Sequence, residues 1–333
     1  MRSRIIWRSS FLVLFLPMAA GSIFPQGLDH VRAHFTKYEY SVPMRDGVRL
    51  FTAVFVPKDR SVKYPILLKR TPYSLAPYGP DRYPESLGPS PSIAKEGYIF
   101  VNQDVRGRWM SEGQFEHVRP HRPVKAAREI DESTDTYDSI DWLLKNVPDN
   151  NGRVGLWGIS YPGFYAAAGS IDAHPALKAV SPQAPVADWF ASDDWHHNGA
   201  FLLAHAFGWF SRHGGSFPKP SPVPPEKFAT QELEDGYEFF MRLGPLRNLN
   251  DKYFKNQIPF WNEMMKREAR DDWWKARNLR PHLRNIQPAV MTVGGWFDAE
   301  NLFGALGVYR AIETQSPNTF NILVMGPWVH GKL

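Results

Sequence analysis

Short apolar runs alternate with segments of helical periodicity along most of the chain. Runs typical of buried strands occupy residues 38–43, 49–56, 64–70, 98–103, 154–159, 179–184, 288–294 and 320–325. Apolar side chains recur at helical spacing in residues 136–147 and 162–171, and a short helix is predicted near residues 93–95. Because short strands that alternate with helices build parallel units, we predict an α/β fold, a mostly parallel sheet with helices on both faces.

The alternation stops at about residue 185 and resumes at about residue 288. The segment between is rich in Trp and Phe at helical spacing and contains a Pro-rich loop at residues 217–225. We therefore predict a core that begins at residues 22–186, an inserted helical cap at 187–287, and the last core strands at 288–333.

The N-terminal segment has the features of an export signal. It contains three arginines in its first eight residues, an apolar run at residues 11–16 and the small residues Ala19-Ala20-Gly21. We predict a cleavable signal peptide at residues 1–21 and a periplasmic or secreted protein. No other stretch reaches the roughly 18 uncharged apolar residues of a membrane span, so no stable span is expected.

Composition narrows the chemistry further. The 333 residues include no Cys, which excludes disulfides, thiolate nucleophiles and iron–sulfur clusters. The net charge is +5, and it falls to +2 without the three arginines of the signal peptide, which argues against a nucleic-acid partner.

A candidate nucleophile lies where a predicted strand meets a predicted helix. The segment Gly158-Ile159-Ser160-Tyr161-Pro162-Gly163 places Ser160 on this turn, and a tight turn around a nucleophile needs small residues beside it. Gly158 meets that need, whereas the usual second glycine position is occupied by Pro162, with Gly163 one residue later. The alternative interpretation is a serine that only caps a helix.

An acid and a base follow in the chain order of α/β-hydrolases. Asp298 comes after the strand at residues 288–294, and His330 comes after the strand at 320–325. A serine nucleophile needs a base that a carboxylate orients, and the order serine, acid, histidine on successive strand ends provides both.

Other motifs give no support for a metal or a cofactor. His196-His197 lies beside Asp193-Asp194, but adjacent side chains of a helix point in different directions and seldom bind one ion. We predict no metal site and no cofactor.

Together the motifs resemble a group of serine hydrolases that includes cocaine esterase, α-amino-acid ester hydrolase, glutaryl acylase and the Xaa-Pro dipeptidyl-peptidases. The matching segments are Met44-Arg45-Asp46-Gly47-Val48-Arg49-Leu50, Arg70-Thr71-Pro72-Tyr73, Gln103-Asp104-Val105-Arg106-Gly107, Gly158-Ile159-Ser160-Tyr161-Pro162-Gly163, Trp296-Phe297-Asp298 and Gly326-Pro327-Trp328-Val329-His330. The resemblance implies an α/β-hydrolase fold with an inserted helical cap, followed in the family by a C-terminal jelly-roll domain that this chain is expected to lack.

The resemblance also implies a role for each matching residue. Ser160 is the nucleophile, Asp298 the orienting acid and His330 the general base. The Tyr161 backbone N–H and the Tyr73 hydroxyl form the oxyanion hole.

In one branch of the family three carboxylates hold the ammonium group of the substrate. The matching positions here are Asp194, Glu300 and Asn301, so two acids are present and the third position is an amide. The alternative is that Asp194 caps a helix and Glu300 is merely solvated.

The sequence therefore predicts an exported serine hydrolase that cleaves small ester or amide substrates through an acyl-enzyme. The sharper expectation is an α-amino-acid ester or a β-lactam-type acyl group. The alternatives are an Xaa-Pro dipeptidyl-peptidase and a non-catalytic truncated fragment. The oligomeric state stays open.

Overall fold

The computed structural model describes residues 27–228 and 235–332. The predicted signal peptide at residues 1–21 lies outside these ranges and stays a prediction. Within the described ranges, no helix combines the length and the apolar character that a membrane span requires.

The elements follow one another in the predicted alternation. The strands are β1 Phe35–Pro43, β2 Arg49–Pro57, β3 Tyr64–Thr71, β4 Ile99–Asp104, β5 Asn150–Ile159, β6 Leu177–Gln183, β7 His196–His197, β8 Ala200–Phe201, β9 Ala289–Gly295 and β10 Asn321–Gly326. The helices are α1 Gly27–His34, α2 Pro91–Lys95, α3 Glu132–Asn146, α4 Tyr161–Gly169, α5 Leu203–His213, α6 Gly236–Leu243, α7 Arg247–Leu249, α8 Pro259–Met265, α9 Asp272–Ala276 and α10 Leu302–Gln315, with a π turn at Asn250–Phe254 and a 3-10 turn at Arg280–His282.

Eight strands form one sheet in the order β1-β2-β4-β3-β5-β6-β9-β10. β2 pairs antiparallel with β1 and with β4, and every other pairing in this sheet is parallel. All eight predicted strands are confirmed, to within a few residues at their ends. The carboxyl ends of β5, β9 and β10 lie along one edge of the sheet, which brings the loops after them together.

Helices cover both faces of the sheet, as predicted. Side chains of neighbouring residues in a strand point to opposite faces of the sheet, so Phe100 and Val101 of β4 each contact a different face. Phe100 packs with Ala94 of α2, whereas Val101 packs in a cluster with Ile140 of α3.

A buried polar network holds the end of β3 in place. It joins Arg70 and Gln103, the first residues of two of the matching sequence segments. Arg70 is fully buried and donates from Nε to Gln103 Oε1 at 2.9 Å and from Nη1 to Glu132 Oε2 at 3.1 Å. Gln103 Nε2 donates in turn to Ser139 Oγ at 2.9 Å. A buried guanidinium is tolerated only when it is paired in this way, and the pairing anchors the loop that carries Tyr73.

The segment between β6 and β9 is largely helical and packs on the core through aromatic side chains. Trp189, Phe210 and Phe260 belong to the same buried cluster as Tyr161 and Phe164 of α4. The cap thus lies over the carboxyl end of β5. The boundaries assigned to the core and the cap stay a prediction.

Candidate active site

Ser160 occupies a strained turn between β5 and α4. Its backbone angles are φ 66° and ψ −127°, a region that residues with a side chain rarely adopt. The Ser160 N–H donates to the Gln183 carbonyl at 2.9 Å, and the Phe164 N–H donates to the Ser160 carbonyl at 3.1 Å. This conformation is that of a nucleophile elbow, which presents the hydroxyl above the sheet edge.

The two glycines of the motif are required by close backbone contacts. A Cβ at residue 158 would overlap the backbone of Pro162, and a Cβ at residue 163 would lie 2.5 Å from the carbonyl oxygen of Gln183. The departure from the usual glycine spacing therefore has a physical reason. Pro162 fits the first turn of α4, and the close approach to β6 occurs one residue later, at Gly163.

Asp298 and His330 are joined by a direct hydrogen bond. His330 Nδ1 lies 3.0 Å from Asp298 Oδ2 and 3.2 Å from Oδ1. A backbone hydrogen bond joins the two loops that carry these residues: the Phe297 N–H donates to the Trp328 carbonyl at 3.0 Å. Asp298 is buried, and its Oδ1 also accepts the backbone N–H of Glu300 at 2.8 Å and of Asn301 at 2.9 Å.

The pKa values of Asp298 and His330 are shifted in the directions expected for an ionised acid that orients a base. Burial works to raise the pKa of Asp298, but the hydrogen bonds from His330 and the backbone outweigh it and hold that pKa below its usual value. Burial works to lower the pKa of His330, but Asp298 and the nearby Glu300 and Asp194 raise it above 6.5. Since Asp298 is ionised, Nδ1 carries the proton and Nε2 is left to act as a base.

Ser160 and His330 lie on loops at the same edge of the sheet, after β5 and β10, and are not joined by a hydrogen bond. Among residues 27–228 and 235–332, no hydrogen bond joins the Ser160 hydroxyl to His330, whose Nε2 lies 3.5 Å from Glu300 Oε2. Catalytic hydrogen bonds of free enzymes are often loose and tighten when substrate binds.

Two potential hydrogen-bond donors lie near the turn that carries Ser160. The Tyr161 N–H belongs to the first residue of α4 and so has no partner within the helix. The Tyr73 hydroxyl accepts a hydrogen bond from Trp209 Nε1 at 3.3 Å, and its ring meets that of Tyr161 edge-on with centroids 6.3 Å apart. Burial raises the pKa of Tyr73, so its hydroxyl keeps its proton and can donate.

The side chain of Tyr161 anchors this turn to the core. Its hydroxyl accepts the Val118 N–H at 2.9 Å and lies 3.1 Å from His117 Nδ1, to which it can donate. Burial lowers the pKa of His117 well below 6.5, which keeps this ring neutral and able to accept.

Asp194, Glu300 and Asn301 converge beside His330. Asp194 Oδ2 accepts from Trp189 Nε1 at 2.8 Å and from Asn301 Nδ2 at 2.9 Å, and the Asp194 N–H donates to the Glu300 carbonyl at 3.2 Å. Burial, reinforced by the nearby Glu300 carboxylate, raises the pKa of Asp194 to about 7. Trp189 and Asn301 therefore hold the Asp194 side chain in the site, and Asp194 does not cap a helix.

Sequence reasoning missed His205, which reaches the same place from α5 of the cap. Its Nε2 lies 3.7 Å from Glu300 Oε2. Ligand atoms of Asp194, His205 and Glu300 lie within 4.8 Å of one another. Because these residues are up to about a hundred positions apart in the chain, no local motif could have linked them.

A separate cavity of about 550 Å³ lies between the loop after β4 and the cap. Arg108, His117 and Phe260 are among its lining residues, but none of the predicted site residues lines it. It therefore lies apart from the Asp298–His330 pair.

The sequence of this chain matches a known protein family. The model of the family described as X-Pro dipeptidyl-peptidase (S15 family) matches residues 46–332. The chain is 27% identical over 311 residues to the cocaine esterase of Rhodococcus sp. (strain MB1 Bresler). The aligned region covers 88% of this chain and 48% of the esterase.

Two solved structures give the same result. An α-amino acid ester hydrolase is 34% identical with a TM-score of 0.78, over 90% of this chain and 48% of that one. An aminopeptidase from a marine sediment archaeon, Thaumarchaeota archaeon, is 31% identical with a TM-score of 0.79, over 98% of this chain and 52% of that one. The chain spans about half the length of the relatives it matches.

These matches confirm the α/β-hydrolase fold and the group of serine hydrolases that the motifs resemble. With 287 consecutive positions, 46–332, matched by the family model, the chain belongs to the X-Pro dipeptidyl-peptidase (S15) family.

Proposed function

We propose that this chain is a serine hydrolase that cleaves ester or amide bonds through an acyl-enzyme on Ser160. The observation that carries the proposal is the placement of three groups on one sheet edge: a serine on a strained turn after β5, and an acid–base pair on the loops after β9 and β10. Strain at a serine is maintained only where surrounding structure supports it, which is typical of a nucleophile.

In the first half of the reaction His330 Nε2 takes the proton of the Ser160 hydroxyl. The Ser160 oxygen then forms a bond to the substrate carbonyl carbon, and the carbonyl oxygen becomes an oxyanion. The Tyr161 N–H and the Tyr73 hydroxyl donate to it, and each such donor typically lowers the barrier by about 3–4 kcal/mol. Asp298 stabilises the imidazolium that His330 becomes.

The leaving group departs with the proton that His330 returns to it. A water molecule then attacks the acyl-enzyme while His330 takes one of its protons. His330 passes this proton to the Ser160 oxygen as the bond to the acyl carbon breaks, and the carboxylic acid product leaves. No cofactor takes part in these steps.

The two carboxylates beside His330 support a substrate that carries an ammonium group. Asp194 and Glu300 lie next to the base, so a positive group held between them would place the neighbouring carbonyl near Ser160. The α-amino acid ester hydrolase among the similar structures supports an α-amino-acid ester as the substrate class. Asn301 replaces a third negative charge, and we expect it to weaken the preference for an amine and to extend the range to neutral acyl groups.

A second candidate is an Xaa-Pro dipeptidyl-peptidase, the activity after which the family is described. The same acid pair would hold the N-terminal ammonium of a peptide. We favour the ester hydrolase because the more identical of the two matched structures is an ester hydrolase.

We also propose that the protein is exported. The support is the N-terminal pattern of arginines, an apolar run at residues 11–16 and Ala19-Ala20-Gly21.

Hydrolysis of matched substrates tests the proposal. We expect turnover of an α-amino-acid methyl ester, a loss of about tenfold or more in kcat/KM for its N-acetyl derivative, and slower cleavage of an Xaa-Pro amide. Asp194→Asn should remove the discrimination between the free and acetylated amines, whereas Asp81→Asn, at an exposed position, should preserve it. Equal kcat/KM for the free and acetylated esters would contradict the amine subsite, and faster cleavage of the Xaa-Pro amide would favour the peptidase.

A further inference from the structure

Four potential metal ligands meet on one side of the Asp298–His330 pair. Ligand atoms of Asp194, His205 and Glu300 lie within 4.8 Å of one another. His330 Nε2 lies beside this group, 3.5 Å from Glu300 Oε2. We predicted no metal site from the sequence, where only His196-His197 beside Asp193-Asp194 suggested one. The residues that meet here come instead from the cap, from the loop after β9 and from the loop after β10.

The spacings approach those of a tetrahedral zinc site. Ligand atoms about 2.0–2.1 Å from Zn²⁺ are separated from one another by about 3.4 Å at tetrahedral angles. Glu300 Oε2 lies 3.5 Å from His330 Nε2 and 3.7 Å from His205 Nε2. Glu300 Oε2 therefore lies within a few tenths of an ångström of the separation that zinc requires from each of these two imidazole nitrogens.

Each of these groups has a lone pair available. His205 Nε2 is buried and forms no hydrogen bond with any described residue. Both side-chain hydrogen bonds that described residues donate to Asp194 end on Oδ2, which leaves Oδ1 free.

The hydrogen bond of His330 provides further support. Its Nδ1 lies 3.0 Å from Asp298 Oδ2, the arrangement by which a carboxylate orients a metal-bound imidazole. The fully buried Asn301 holds Asp194 in place by donating to its Oδ2. Neighbouring residues therefore hold both His330 and Asp194 in fixed orientations.

We propose that His205, Glu300 and His330, with Asp194 as the fourth ligand, bind Zn²⁺ reversibly and that the bound ion blocks hydrolysis. Zinc accepts the Nε2 lone pair of His330, which can then no longer take the proton of Ser160. The ion also occupies the two carboxylates that would hold a substrate ammonium. The blocking effect rests on the proposed function, whereas metal binding does not.

The donor set selects the kind of ion. Two imidazole nitrogens and two carboxylates suit Zn²⁺ and Co²⁺, whereas Mg²⁺ and Ca²⁺ require six or more oxygen ligands. We therefore expect Mg²⁺ neither to bind here nor to inhibit.

Calorimetric titration of the EDTA-treated full chain with zinc chloride tests binding, and the visible absorption of tetrahedral Co²⁺ reports the coordination. We expect one equivalent to bind, with affinity about tenfold or more weaker in His205→Gln and in Glu300→Gln. His197→Gln removes an exposed histidine of the cap and should bind as the parent chain does. Absence of binding, or equal affinity in the parent and His205→Gln, would overturn the proposal.

Ester hydrolysis in the presence of zinc tests the blocking effect. Zinc should inhibit the parent chain, EDTA should restore its activity, and His205→Gln should need about tenfold more zinc for the same inhibition. Inhibition that is the same in the parent and in His205→Gln would show that zinc acts elsewhere. If the chain binds zinc but hydrolyses no ester even without it, the proposed function fails while the metal site stands.

Discussion

Replacing Glu300 by Gln should lower the pKa of His330 and shift the pH dependence of activity. The Glu300 carboxylate lies 3.5 Å from His330 Nε2 and favours the imidazolium form of that ring. Hydrolysis needs the neutral imidazole. In the parent chain activity therefore rises as pH increases through the raised pKa of His330, and in Glu300→Gln this rise should occur at lower pH.

The size of the shift follows from distance and exposure. Two unit charges about 4 Å apart interact by about 1 kcal/mol in water and by about 4 kcal/mol at an effective dielectric constant of about 20. The side chains of His330 and Glu300 are 22% and 30% exposed, so solvent screens the pair substantially. We therefore expect an interaction between these two limits, and its loss in Glu300→Gln should lower the pKa of His330.

The assay is the pH profile of kcat/KM for a neutral acyl ester, since such a substrate does not depend on the ammonium subsite. Titration of the His330 ring by NMR gives the same pKa without turnover. Glu85→Gln makes the same change at an exposed position and should leave the profile unchanged. A profile that stays in place in Glu300→Gln, or moves to higher pH, would refute the reasoning.

Three further substitutions test separate parts of the site. Tyr73→Phe removes an oxyanion donor and should lower kcat about 10²- to 10³-fold in steady-state assays with little change in KM; an unchanged kcat would exclude this role. Asp298→Asn keeps the size of the side chain but loses the charge that orients His330, so kcat should fall about 10⁴-fold, and a loss below tenfold would contradict the role of the acid. Gly163→Ala sets a methyl group 2.5 Å from the Gln183 carbonyl oxygen and should lower the free energy of unfolding by about 1–3 kcal/mol in urea titrations, whereas an unchanged midpoint would show that the turn can relax.

Much of the fold was predictable because central strands such as β2 and β4 are largely buried. Such strands appear in the sequence as short apolar runs, and all eight were found. Boundaries were less accurate. Helix α3 starts at Glu132 instead of residue 136, because Asp131 and Thr134 form a reciprocal capping box in a polar segment without apolar periodicity. Helix α10 was missed because it is apolar around much of its surface and shows no clear amphipathic period.

The pairing of Asp298 with His330 was predictable because both residues follow strand ends. The contacts of the cap were not. His205 reaches Glu300, and Trp209 donates to the Tyr73 hydroxyl, only because α5 folds over the sheet edge. Periodicity identifies a helix, but it does not say which residue of a distant loop the helix will meet.

The proximity of Asn301 to Asp194 is a different case. The resemblance placed both residues in one subsite, but nothing in the residue pattern indicated that the Asn301 amide would donate to the Asp194 carboxylate at 2.9 Å. Such a pairing depends on side-chain geometry, which residue spacing does not encode.

Labelling with a fluorophosphonate probe, read by intact mass and peptide mapping, tests most directly whether Ser160 is an activated nucleophile. We predict one label per chain on Ser160, no label on Ser160→Ala, and full labelling of Ser86→Ala, which changes an exposed serine. A folded parent chain that takes no label, or a Ser160→Ala variant that is labelled as fully as the parent, would contradict the account.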